Sequence, residues 1–118
     1  MSWDNNAYDN PEKHGLVLLG DIEWSRESYE FNMTAVWHEP ATGAFYWADD
    51  SGCSCPSPFE TYDNVADLTK AERTQNLIDH LNAKVEANSG GRYDHVSRDE
   101  LLACVGELMA RVMAVKHG

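Results

Sequence analysis

The chain is 118 residues long, 42% hydrophobic and 25% charged, the size of a single domain with one core and far from the composition of disordered chains. Its formal net charge is −11, from 20 Asp and Glu against nine Lys and Arg, a sign opposed to phosphate contact, so direct nucleic-acid binding is excluded as a main role. No stretch approaches the roughly 18 apolar residues of a membrane span, and the polar, acidic start MSWDNNAYDNPEKHG lacks a basic segment followed by an apolar run; a soluble, unsecreted protein without a membrane partner is expected.

The acid is unevenly spread. Residues 1–68 hold 13 acids against Lys13 and Arg26, whereas residues 69–118 hold seven of each sign. Every aromatic except Tyr93 also lies in the acidic part, so negative charge and large, rigid contact area share one region. Three cysteines, two of them one residue apart, make a poor disulfide framework, and reduced thiols are expected.

In chain order, residues 1–14 read as an irregular segment, 15–50 as an antiparallel sheet, 51–68 as a Cys/Pro loop and 69–117 as a helical hairpin. In GLVLLGDIEW, Leu16, Leu18, Ile22 and Trp24 alternate against Asp21 and Glu23, with Val17 and Leu19 blurring the pattern. YEFNMTAVWH puts Tyr29, Phe31, Met33, Ala35 and Trp37 on one face and Glu30, Asn32 and Thr34 on the other. With SRES as a hairpin linker, Trp24 meets Tyr29, Ile22 meets Phe31 and Leu16 meets Trp37, so both stripes fall on one side. The turn EPATG, with Pro40 pre-set in φ and Gly43 free to take positive φ, leads into a third strand, AFYWAD. Thr69-Lys-Ala-Glu72 and Ser97-Arg-Asp-Glu100 match the capping box that opens a helix. Leu77, Ile78, Leu81 and Val85 stripe the first helix, which ends at NSGG with Gly90 or Gly91 as cap. Leu101, Leu102, Val105, Leu108, Met109, Val112 and Met113 stripe the second, and Val96 is placed for a staple with Leu101. The fold expected is α+β: a three-stranded antiparallel meander packed on one face by a C-terminal two-helix hairpin.

Few residues point to chemistry. Cys53-Ser-Cys55 supplies at most half of a zinc site, and Cys104 falls among helical core positions, so packing of a loop stiffened by Pro56 and Pro58 is favoured over metal or redox chemistry. Asp49 and Glu60 have the end spacing of a calcium loop, but Ser51 and Cys53 occupy ligand positions and the glycine is misplaced. The pair in SGGR lacks the strand and further glycines of a phosphate cradle. No nucleophile, base and orienting acid match a known signature, and neither catalytic residues nor a cofactor or metal are expected. A thiol- or metal-dependent activity of Cys53 and Cys55 is the third reading.

The run Phe45-Tyr46-Trp47 puts large aromatics on both faces of one strand, so one face should expose them. A protein-binding patch is expected there, with Phe45 and Trp47 at its centre and Asp21, Glu23, Glu30 and Asp49 as its acidic rim.

The segments YDNPEKHGL, GDIEWS and above all WADDSGCSCPSPFE resemble those of a family of small uncharacterised actinobacteriophage proteins, a likeness that covers about residues 8–62. The resemblance transfers no site residues. It implies expression in the cytoplasm of an infected bacterial host, accessory status, and a role in binding or inhibiting a host protein. A non-enzymatic interaction module is therefore the first reading. An acidic nucleic-acid mimic that occupies the basic groove of a host DNA-binding protein is the alternative, and self-association is left open.

Overall fold

Five consecutive residues, Met33 through Trp37, are all buried, four of them completely. Because side chains along a strand alternate between faces, this requires a sheet covered on both sides. The computed structural model describes residues 7–24, 30–53, 59, 64–88 and 98–117. It contains strands β1 (Val17–Glu23), β2 (Glu30–Glu39), β3 (Ala44–Cys53) and β4 (Thr69–Ala71), followed by helices α1 (Thr74–Asn88) and α2 (Arg98–His117). The strands form one antiparallel sheet in the order β1-β2-β3-β4. The α+β class and the C-terminal helix pair stand as expected, but the sheet has four strands rather than three.

The fourth strand comes from the supposed helix start at Thr69. Thr69, Lys70 and Ala71 pair with Trp47, Tyr46 and Phe45, and the helix begins at Thr74. A capping-box pattern is local, and here the free edge of β3 outcompetes it. The helix start instead carries a bond from the Arg73 amide to Asn76 Oδ1 at 2.9 Å, which satisfies a donor that a helix end leaves unpaired. The second helix starts at Arg98; the Ser97 cap, the Val96 staple and the NSGG stop lie outside the described residues. The β2–β3 turn forms as read, with Gly43 at φ 79° and its amide bonded to the Glu39 carbonyl at 2.8 Å.

The register of β1 departs from the expected one. Leu18 pairs with Trp37 and Gly20 with Val36, leaving Leu19 as an extra residue, a β-bulge. Leu18, not Leu16, thus stands opposite Trp37, and beyond the bulge Ile22 stands opposite Thr34, not Phe31. The Trp24 amide donates to the Asn32 carbonyl at 2.7 Å, so Trp24 is not the partner of Tyr29; the SRES linker lies outside the described residues. One extra residue moves every later side chain to the other face. Leu16 therefore belongs to one core and Ile22 and Trp24 to the other, with Leu18 packed against the first of these. The alternation blurred at Val17 and Leu19 is the trace of this bulge in the sequence.

One core lies between the sheet and the helices and joins Ile22, Trp24, Val36 and Phe45 to Leu77, Leu81, Val85, Leu101, Val105, Leu108 and Val112. The helix stripes are as read at Leu77, Leu81, Val85, Leu101, Val105, Leu108 and Val112, with Leu102 and Met109 partly buried against them. Ile78 is half-buried outside the core, and Met113 is exposed, as is Cys104, which was expected among core positions. The second core, on the far face, gathers Leu16, Met33, Ala35, Trp37, Ala48, Phe59 and Leu68 under Ala7. The segment before β1 is thus a cover: Trp37 Nε1 donates to the Ala7 carbonyl at 3.0 Å, and a 3-10 turn at Pro11–His14 leads through Gly15, at φ 72°, into the sheet. The Cys/Pro loop contributes Phe59, fully buried and edge-on to Trp37 at 5.8 Å. Its amide donates to Asp50 Oδ2 at 2.7 Å, an anchor that holds this non-glycine residue at φ 62°. Packing is thus seen for the loop at Phe59, whereas Cys55 and the side chain of Cys53 lie outside the described residues.

Helix α2 docks at the bulge. Arg111 Nη1 donates to the Leu19 carbonyl at 3.1 Å, and a Cβ placed on Gly20 would come within 2.7 Å of that guanidinium and 3.1 Å of Leu108 Cδ1. Gly20→Ala displaces the flexible arginine end and asks Leu108 Cδ1 to give by a few tenths of an ångström, and should cost about 1 kcal/mol, whereas Gly20→Val should overpack the contact and cost about 2 kcal/mol. Urea denaturation of the two variants checks the order; equal midpoints would place α2 elsewhere.

Candidate functional site

Five of the six residues expected to form one patch are placed, and they are divided between the two faces. Asp21 and Glu23 stand opposite Ala35 and Met33, both in the far core, and are exposed beside it. Phe45 and Trp47 lie on the helix side: Phe45 is only 7% exposed within the core, and Trp47 is half-buried against it. Asp49 pairs with Thr34 on that same side. The side chain of Glu30 lies outside the described residues. The expected aromatic centre with its acidic rim therefore does not form as one surface, because the helices cover the face that carries Phe45 and Trp47, whereas the Met33, Ala35 and Trp37 stripe is covered by the N-terminal segment and Phe59.

Under α1 the same residues make a polar network. Trp24 Nε1 donates to Thr34 Oγ1 at 2.8 Å, both groups being buried, and the Thr34 hydroxyl donates in turn to Asp49 Oδ1. His80 Nε2 of α1 lies 2.9 Å from Asp49 Oδ2, and its ring stacks on Trp47 with centroids 4.9 Å apart. A neighbouring bond joins Asn32 Nδ2 to Asn88 Oδ1 at 3.1 Å. In this chain of bonds the carboxylate stands between hydroxyl and imidazole. A hydroxyl-activating relay needs the imidazole in the middle, so the arrangement suits a clamp of α1 onto β2 and β3, with every buried donor given an acceptor.

The far side of the sheet is acidic and carries a second polar anchor. Tyr8 Oη donates to Asp21 Oδ2 at 2.8 Å and its ring packs on Phe59 with centroids 4.9 Å apart. Burial, and then the Asp21 carboxylate, hold the Tyr8 phenol well above the usual tyrosine range, so the group remains a donor at physiological pH. Asp9, Glu12, Asp21, Glu23 and Asp67 are all exposed. His80 and Tyr8 lack a sequence signal of their own, since scattered histidines and tyrosines have no fixed spacing. Their partners Asp49 and Asp21 were visible only as charges.

Among the described residues no group of three or more His, Cys, Asp or Glu is placed to hold a metal ion, and no helix is long and apolar enough to cross a membrane.

Thr34→Val keeps the shape of the side chain but leaves the buried Trp24 Nε1 without its acceptor, and should cost about 1–3 kcal/mol. Thr34→Ser, which restores the hydroxyl, should recover part of that loss. Denaturation midpoints of both variants check this, and a Val variant as stable as the parent would contradict the network.

A family model described as Domain of unknown function (DUF7574) matches residues 5–115. No curated protein and no solved structure matches the chain.

Proposed function

The chain belongs to the DUF7574 family, and we propose that it is a non-enzymatic protein-interaction module, encoded by a phage and active in the cytoplasm of the infected bacterial host, whose acidic sheet layer binds or inhibits a host protein. The observation that carries this reading is the separation of charge between layers. The segment that builds the N-terminal cover, β1, β2, β3 and the Cys/Pro loop holds the whole excess of 11 negative charges, whereas residues 69–118 are neutral. Asp21 and Glu23 stand exposed on the face away from the helices. A field of one sign over one side of a small domain attracts a basic partner surface, raises the association rate and disfavours acidic competitors. The resemblance of residues 8–62 to actinobacteriophage proteins supplies the host context.

The burial of Phe45 and half-burial of Trp47 favour the second reading more than the sequence did. With the aromatics drawn into the helix-side packing, carboxylates carry more of any contact, as they would in a nucleic-acid mimic seated in a basic groove.

The test is affinity capture from actinobacterial lysate, followed by kinetics on the captured partner. Asp21→Lys together with Glu23→Lys should slow association about tenfold and flatten its salt dependence. Because the two carboxylates also accept from Tyr8 Oη and the Asn32 amide, the effect is read against Asp21→Asn with Glu23→Gln, which removes the charges without reversing them and should give about half of it. Competition by duplex DNA for the same partner would select the mimic. Association unaffected by the double reversal would contradict both readings.

A further inference from the structure

The cations of this acidic chain are not all spent on its own carboxylates. Arg98 pairs with Glu86 and Arg111 with Glu107, but Lys70, Arg73 and Lys116 enter no ion pair among the described residues, although the chain holds 20 Asp and Glu for nine Lys and Arg. These three line one open cavity of about 510 Å³ at the β4 edge. They reach it from three parts of the fold: Lys70 from β4, Arg73 from the β4–α1 link and Lys116 from the last turn of α2. Their gathering leaves a positive concavity in a negative molecule.

The rest of the lining defines what would fit. Ala44 and the small exposed edges of Phe45 and Ala71, 7% and 8% exposed, supply a narrow apolar floor, and Thr42 and Thr74 supply hydroxyls. Glu72 is the single acid of the lining, so it carries a net charge of +2. Two of the cations are set by bonds on the protein itself. Lys116 Nζ donates to Thr74 Oγ1 at 2.9 Å, which ties the end of α2 to the start of α1. The Arg73 backbone is fixed by its amide bond to Asn76 Oδ1 at 2.9 Å and its carbonyl bond from the Asn76 amide at 3.0 Å. Gly43 at the rim has no atom within 4 Å of where a Cβ would lie, so the mouth on that side is open.

We propose that this cavity is a binding site for a small organic anion, a carboxylate or phosphate ester with a compact apolar body, whose charge is held by Lys70, Arg73 and Lys116 and whose body rests on Phe45 and Ala71. The volume suits a metabolite-sized molecule, and a guanidinium beside two ammonium groups matches a multi-oxygen anion. The site lies at the β4 edge, with Lys70 opposite Tyr46 on the far-core side and Ala71 opposite Phe45 on the helix side, and selects the charge opposite to that of the acidic sheet face.

Titration of phenyl phosphate, inorganic phosphate and benzyl alcohol into the ¹⁵N-labelled protein separates charge from body. Phenyl phosphate should give saturable shifts at Thr42, Gly43, Lys70, Arg73, Thr74 and Lys116, phosphate should bind at least about tenfold more weakly, and benzyl alcohol should not saturate. Lys70→Gln and Arg73→Gln, at exposed positions whose side chains make no bond among the described residues, should keep the spectrum of the folded protein and each weaken phenyl phosphate about tenfold. Shifts that do not saturate, that centre on Arg98 or Arg111, or that survive both variants would overturn the proposal. Phosphate binding as tight as phenyl phosphate would overturn the role given to the apolar surface.

Discussion

The extra residue at Leu19 is the constraint from which the rest of the domain follows. A regular β1 would lay Leu16, Leu18, Ile22 and Trp24 on one side, leaving only Val17 and Leu19 as apolar contacts for the other. The bulge divides this stripe between the two cores, and the neighbouring strands complete each side. β2 can then be buried on both faces, with Val36 and Thr34 under the helices and Ala35 and Trp37 under the N-terminal segment. The irregularity is also a docking point, because the Leu19 carbonyl accepts from Arg111 and Gly20 leaves room for Leu108. A strand defect, a glycine and a helix contact thus act as one device.

A sheet covered on both faces places its polar groups in particular ways. The buried indole of Trp24, the Thr34 hydroxyl, Asp49 and His80 satisfy one another under α1, so this polarity specifies where the helix sits. On the far side, Tyr8 is held by Asp21 and Phe59, and Asp50 holds the Phe59 amide. Acids that look from sequence like a simple rim therefore have two roles. Asp49 and Asp50 organise the interior, while Asp21 and Glu23 also remain exposed to shape the outer field. Lys70, Arg73 and Lys116, which enter no ion pair among the described residues, lie beside β4.

Much of this was legible in the residues. The alternation of Met33, Ala35 and Trp37, the turn at Gly43, and the stripes Leu77-Leu81-Val85 and Leu101-Val105-Leu108-Val112 each express a period set by backbone geometry, and each is seen. What was not legible depended on competition between local and distant partners. Thr69-Lys-Ala-Glu72 satisfies a helix signal, but three residues of edge pairing to β3 prevail. The bulge changed a face assignment through one residue, since no composition rule marks which of Val17, Leu18 or Leu19 is extra. The candidate patch failed to assemble for the same reason: Phe45 and Trp47 have the large apolar area expected of a contact surface, and the helices use it first. His80 and Tyr8 gained their roles from strands far away in sequence.

Side-chain nuclear Overhauser contacts across β1 and β2 test the bulged register most directly. With Leu19 as the extra residue, the Ile22 methyls should show strong contacts to the Thr34 methyl, since the two residues are paired on one face, and the Leu18 methyls should contact the Trp37 indole. Strong contacts from Ile22 to the Phe31 ring, and from Leu16 to Trp37 as direct partners, would mean a regular strand with a single apolar stripe, and would contradict the division of the domain into two cores.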